Sequence, residues 1–159
     1  MHTTPTTLMW PLLGLALLAC DIDEPLTFPC DETATLAQVA GAWTLTGTAE
    51  RNDCDPDELN GANIKLNSTM PLTITQADTM ISMDSVTIGD SKLVLQRGSV
   101  EGDCVEFETL ETSPDGTISY EFVGRFVEEP GGARVIEGVL KGDGPGSCTA
   151  DGSFEISID

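Results

Sequence analysis

The chain has little with which to attract anions or run histidine chemistry. Seven Lys and Arg stand against 27 Asp and Glu, a net charge of −20, and the one histidine is His2. A field of that sign repels phosphate backbones and anionic lipid surfaces, which proteins hold through Lys and Arg. Nucleic-acid binding is excluded, and membrane attachment has to come from something other than a basic face. Aromatic residues make up only 5% of the chain, few for the stacking platforms of a sugar-cleaving cleft, although paired carboxylates abound. No C-x-x-C pair occurs, so a zinc ribbon or a thioredoxin-like redox motif finds no support. The Gly-rich "KGDGPGSCTADG" lacks the Gly-Lys-Ser/Thr ending of a phosphate loop. The apolar run from Leu8 to Ala19 is shorter than the roughly 20 residues a hydrocarbon core requires.

That run has the length of a signal-peptide core, and it follows a polar start, "MHTTPTT", that contains no Lys or Arg. Its end, Leu17-Leu18-Ala19-Cys20, resembles the lipobox of bacterial lipoproteins, in which the Cys thiol is acylated and the chain is cut just ahead of it. The resemblance implies that residues 1–19 are a removed signal peptide and that Cys20 is lipidated. It also implies that the protein is exported and lipid-anchored in the bacterial cell envelope, at the periplasmic face or the cell surface. No acid or base precedes Cys20, so all the charge belongs to residues 20–159. His2 is lost with the signal, and without it neither a Ser-His-Asp nor a Cys-His arrangement can be assembled. The expectation is a protein that is not an enzyme, with no catalytic residues, no cofactor and no metal. Asp53, Asp55 and Asp57 alternate as in calcium loops, but Glu58 occupies the place of the EF-hand Gly, and the loop reads as solvated.

With Cys20 assigned to lipid, Cys30, Cys54, Cys104 and Cys148 remain. An even set in an exported chain predicts two disulfides, with three connectivities open. Residues 20–40, which include "DIDEPLTFPCDETAT" from Asp21 on, read as an acidic, Pro-containing tether pinned by Cys30, with "LAQVAGAW" closing it in a short helical turn. Residues 41–159 read as one all-β domain. In "TISYEFVGRFV" the residues Ile118, Tyr120, Phe122, Gly124 and Phe126 share one face, and Ser119, Glu121 and Arg125 share the other. The pattern recurs in "WTLTGTA", "PLTIT", "KLVLQ", "CVEFETL", "RVIEGVLKG" and "SFEISI". A further strand lies in "TMISM" or "SVTI", and "DPDELNGANIKLNS" holds an irregular turn or strand. Roughly eight short strands with no useful helical period predict an antiparallel up-and-down barrel or a β-sandwich, stapled by two disulfides.

"GAW", from Gly41 to Trp43 at the opening of the first strand, resembles the G-x-W motif of lipocalin-like β-barrels. The family's T-D-Y motif has no counterpart; "RFVEEPGGAR" stands in its place. The resemblance implies an eight-stranded barrel whose Trp43 plugs the closed end. In an up-and-down meander the first and last strands pair, which brings Cys54 and Cys148 to one end and Cys30 and Cys104 to the other. The expected bridges are therefore Cys54–Cys148 and Cys30–Cys104. The functional expectation is a non-catalytic interaction or structural module that meets a basic protein partner through acidic loops; the alternative is a carrier of a small apolar or cationic ligand. Inward volume discriminates the two. The crowded "ISYEFVGRF" favours a packed interior, whereas Gly47, Ala49 and Gly124 leave room.

Overall fold

A computed structural model describes residues 24–52, 63–65, 70–88, 90–114, 116–144 and 148–158. Strands, and no helix, make up its regular structure: β1 (Gly41–Asn52), β2 (Asn63–Lys65), β3 (Met70–Ala77), β4 (Met80–Met83), β5 (Val86–Ile88), β6 (Ser91–Glu101), β7 (Cys104–Ser113), β8 (Gly116–Glu128), β9 (Arg134–Asp143) and β10 (Thr149–Ile158). β2 and β3 both pair with β1, along different parts of it, and share one place in the wall. β4 and β5 share another, both paired with β6. β10 pairs with β1 from Thr44↔Ser157 to Asn52↔Thr149 and closes the sheet. The result is an eight-stranded, antiparallel, closed up-and-down barrel, and the sandwich alternative falls away. Both "TMISM" and "SVTI" form strands, as two pieces of a single wall position.

Closure removes the open edges at which a sheet would otherwise pair with other chains, and it puts one face of every strand inside. In β8, Tyr120 and Phe122 are buried, Ile118 and Phe126 are half-buried, and Glu121 is exposed, as the alternation predicts. Val123 is the exception, on the outer face yet only 5% exposed. In β6 a bulge between Leu95 and Arg97 resets the alternation. The extra residue turns Arg97 outward to form an ion pair with Glu108, while Gly98 and Val100 face inward.

The middle of the barrel is filled by rings. Phe107 and Phe122 stack with centroids 4.5 Å apart, and Phe154 stands edge-on to both at 5.7 and 5.2 Å. Phe154 fits because its neighbours across the sheet carry no side chain: it pairs with Gly138 on one side and Gly47 on the other, and Gly138 pairs with Gly124. A Cβ on Gly124 or Gly138 would lie 2.9 or 2.7 Å from the Phe154 ring. The room that Gly124 leaves in the sequence is thus occupied by an aromatic ring. Burying three such side chains accounts for a large share of the hydrophobic stabilisation of a domain with few aromatics.

The N-terminal segment does not form the expected helical turn. Residues 35–40 are irregular and lie against the barrel, with Ala37 and Val39 buried in its core. Their backbone groups are satisfied from the barrel instead of from a helical turn: Ala37 N–H donates to Gly102 O at 2.8 Å, and Val39 N–H donates to Gln76 Oε1 at 2.8 Å. Gln76 Nε2 in turn donates to Ala37 O at 2.9 Å. The end of the segment read as a tether is therefore a strap across one end of the barrel.

Candidate functional site

The two ends of the barrel differ in chemistry. At the closed end Trp43 is 2% exposed, and its ring N–H donates to Val39 O at 2.8 Å, which fixes the strap to the first strand. The Arg134 guanidinium lies over the Trp43 ring, 5.4 Å from its centroid, and donates to Gln38 O at 3.3 Å. Phe126 meets the same ring edge-on, with centroids 6.5 Å apart. Trp43 is a core plug here and offers no open surface to a ligand.

Of the two expected bridges the described residues show one: Cys30 and Cys104 are bonded, with Cα atoms 5.2 Å apart. The turn beside them is built to receive the strap. Asp31 N–H donates to Asp103 Oδ1 at 2.6 Å, and Asp103 N–H donates to Asp31 O at 3.1 Å. Gly102 has φ +60, and a Cβ there would lie 2.0 Å from Asp31 O, so only glycine fits. Hydrogen bonds from the Thr33 hydroxyl and backbone N–H hold the Asp31 carboxyl below its ordinary value. Cys30, Asp103 and Cys104 bring their ligand atoms close together, but both sulfurs are spent in the disulfide and no thiolate is left for a metal. Cys148 is disulfide-bonded as well. Cys54, its expected partner, lies outside the described residues, as do Cys20 with its expected lipid, the signal peptide and the Asp53, Asp55 and Asp57 loop.

At the other end the inner face changes character. Val86, Leu93, Leu95 and Ile118 pack on the core but are only half-buried, so solvent reaches this mouth. The register aligns Val86, Leu93, Glu111 and Ile118 in one cross-strand row, and Leu95, Thr109, Tyr120 and Gly142 in the next row inward. Glu111 is half-buried and accepts the hydroxyl of Tyr120, itself 3% exposed, at 3.2 Å. Thr109 is 1% exposed and its Oγ1 has no hydrogen-bond partner among the described residues. A buried hydroxyl with no partner costs about 1–3 kcal/mol. Sequence reasoning did not single out Thr109, Glu111 or Gln76. Their signal was nonetheless present: each is a polar residue at an inner position of an alternating strand, in "CVEFETLET" and "PLTITQA".

On the outer wall, Arg125 and Glu137 pair at 2.8 Å with both side chains near half-exposed, a contact that contributes little to stability. Two shallow grooves run over this surface. One, of about 490 Å³, lies between Phe28 and strands β1, β9 and β10; the other, of about 350 Å³, lies beside Met80, which is 70% exposed, over β6, β7 and β8.

Fold and site together define a class: a small closed β-barrel, strapped and plugged at one end and apolar with an inner carboxylate at the other. No family model, curated protein or solved structure matches the chain, so the barrel is not matched to any known lipocalin.

Proposed function

We propose that the protein is a lipid-anchored lipoprotein of the bacterial cell envelope whose non-catalytic barrel serves as an interaction or structural module. The observation that carries this reading is the Phe107, Phe122 and Phe154 cluster, which fills the middle of the barrel with the chain's own rings. A barrel filled in this way offers its outer wall and its rims for contact. With a net charge of −20 the complementary partner is a basic protein, and the charge speeds and selects that encounter more than it tightens it. The anchor in this reading is the acylated thiol of Cys20, and the strap at Cys30 follows it closely in the chain.

The test is intact mass spectrometry on the full chain expressed in a bacterial host and extracted from membranes with detergent. The expected mass is that of residues 20–159 plus acyl chains, less two hydrogens for each disulfide, and Cys20→Ala should leave an unprocessed, unacylated chain. An unprocessed wild-type mass refutes the anchor. Crosslinking in intact envelopes should then capture basic proteins, and capture should weaken as salt is raised.

A second reading, a carrier with its ligand in the barrel mouth, is favoured by one observation. The Thr109 hydroxyl, which has no partner among the described residues, and the Glu111 carboxylate sit on the inner face above the aromatic cluster, where a packed barrel has no need of polar groups.

A further inference from the structure

We propose that the mouth of the barrel binds a primary alkylammonium ion; this rests on the second reading above and names its ligand class. The ammonium belongs at Glu111 and the alkyl chain on Leu93, Leu95 and Ile118. Three features of the mouth select this chemistry. The first is the carboxylate. Glu111 stands in the same cross-strand row as Leu93 and Ile118, so one charged acceptor is set directly among half-buried apolar groups. Tyr120 holds it in place through the hydroxyl bond at 3.2 Å. Glu111 is half-buried, so an ion pair there is screened less than one between fully exposed groups.

The second is Thr109, two residues before Glu111 on the same inner face and 1% exposed. Its Oγ1 has no partner among the described residues. A hydroxyl oxygen carries two acceptor lone pairs and an ammonium carries three N–H donors, so a head group on Glu111 has a donor to spare for Thr109, whose Oγ1 is sealed from solvent until the side chains of the mouth part to admit the ligand. A quaternary ammonium has none to give.

The third is the floor. Phe107, Phe122 and Phe154 fill the next level down, so the site is shallow and suits a short chain rather than a long acyl tail. An anionic head group is disfavoured twice, by Glu111 and by the net charge of −20.

The experiment uses purified, isotopically labelled protein of residues 20–159. Hexylammonium, hexan-1-ol and hexanoate are titrated separately at constant ionic strength while backbone amide shifts are followed. Hexylammonium should produce saturable shifts at Leu93, Thr109, Glu111 and Ile118, hexan-1-ol should bind about tenfold more weakly, and hexanoate should not bind. Glu111→Gln should abolish the preference of the ammonium over the alcohol, a loss of about tenfold in affinity, equivalent to about 1.4 kcal/mol. If the variant fails to fold, the comparison of the three probes on the wild-type protein decides alone. Equal binding of hexan-1-ol and hexylammonium at the mouth overturns the cation assignment and leaves the carrier reading standing. No saturable shift at the mouth from any probe overturns both. Shifts confined to the outer carboxylates show diffuse charge attraction and overturn the site.

Discussion

The Cys30–Cys104 bridge can be removed without touching the other cysteines by replacing both residues with serine. The bond closes a loop with a sequence separation of 74 residues, and in the chain-entropy account its loss frees the unfolded chain by about 4 kcal/mol. The folded state has reasons to stay as it is. Ala37, Val39 and Asp31 keep their hydrogen bonds to Gly102, Gln76 and Asp103, and the buried side chains of Ala37 and Val39 keep the strap seated. The whole loss should therefore appear as lower stability rather than as a changed fold, and a domain of this size should melt roughly 10–15 °C earlier. Urea denaturation of Cys30→Ser/Cys104→Ser, with far-ultraviolet dichroism as the probe, is the assay. Using the variant rather than a reductant leaves the bond at Cys148 in place. A midpoint unchanged from wild type would refute the entropic argument. A large loss accompanied by rapid hydrogen exchange confined to residues 31–40 would show that the bridge, not the hydrogen bonds, holds the strap.

Three further outcomes are expected. Gly152→Ala places a Cβ 1.9 Å from Thr48 O and 2.6 Å from Ala49 Cα, backbone atoms that cannot yield, and should cost about 3 kcal/mol or more in urea titration. Gly144→Ala, with contacts of 3.5 and 3.6 Å, should stay within about 0.5 kcal/mol; equal effects of the two would contradict the described closure. Trp43→Phe removes the ring N–H and leaves Val39 O unpaired, which should lower stability by about 1–3 kcal/mol in calorimetry. Asp31 should titrate below its ordinary 3.8 because Thr33 hydrogen-bonds its charged form. Its contribution to strap stability is then present above pH 3.8 and lost as pH falls through the depressed folded value, and Thr33→Val should move the midpoint, followed by carboxyl NMR, back up.

Much of the wall was legible along the chain. Alternation in "TISYEFVGRFV" places Tyr120 and Phe122 inside and Glu121 outside because successive side chains of a strand leave opposite faces. The same rule marks Thr109, Glu111 and Gln76 as inner polar residues, but it does not say which are satisfied. Gln76 turns out to be bonded on both its amide atoms to the strap, whereas the Thr109 hydroxyl has no partner among the described residues. The "LAQVAGAW" stretch lacks alternation, so nothing local opposed a helical turn; the acceptors of its Ala37 and Val39 N–H groups are dozens of residues away in sequence.

Read along the chain alone, most of the strands, the inner face wherever the alternation is unbroken, the acidity of the surface and, once an up-and-down order is assumed, the pairing of Cys30 with Cys104 were already legible. Each of these follows from local periodicity, charge or strand count. The closure of β10 on β1, the outward turn of Arg97 at the bulge after Leu95, and the filling by Phe154 of the space left by Gly124 and Gly138 emerge from the folded barrel. Those outcomes depend on volume and register between strands far apart in the chain. Periodicity tells a side chain which face to take and carries no information about what it will meet there.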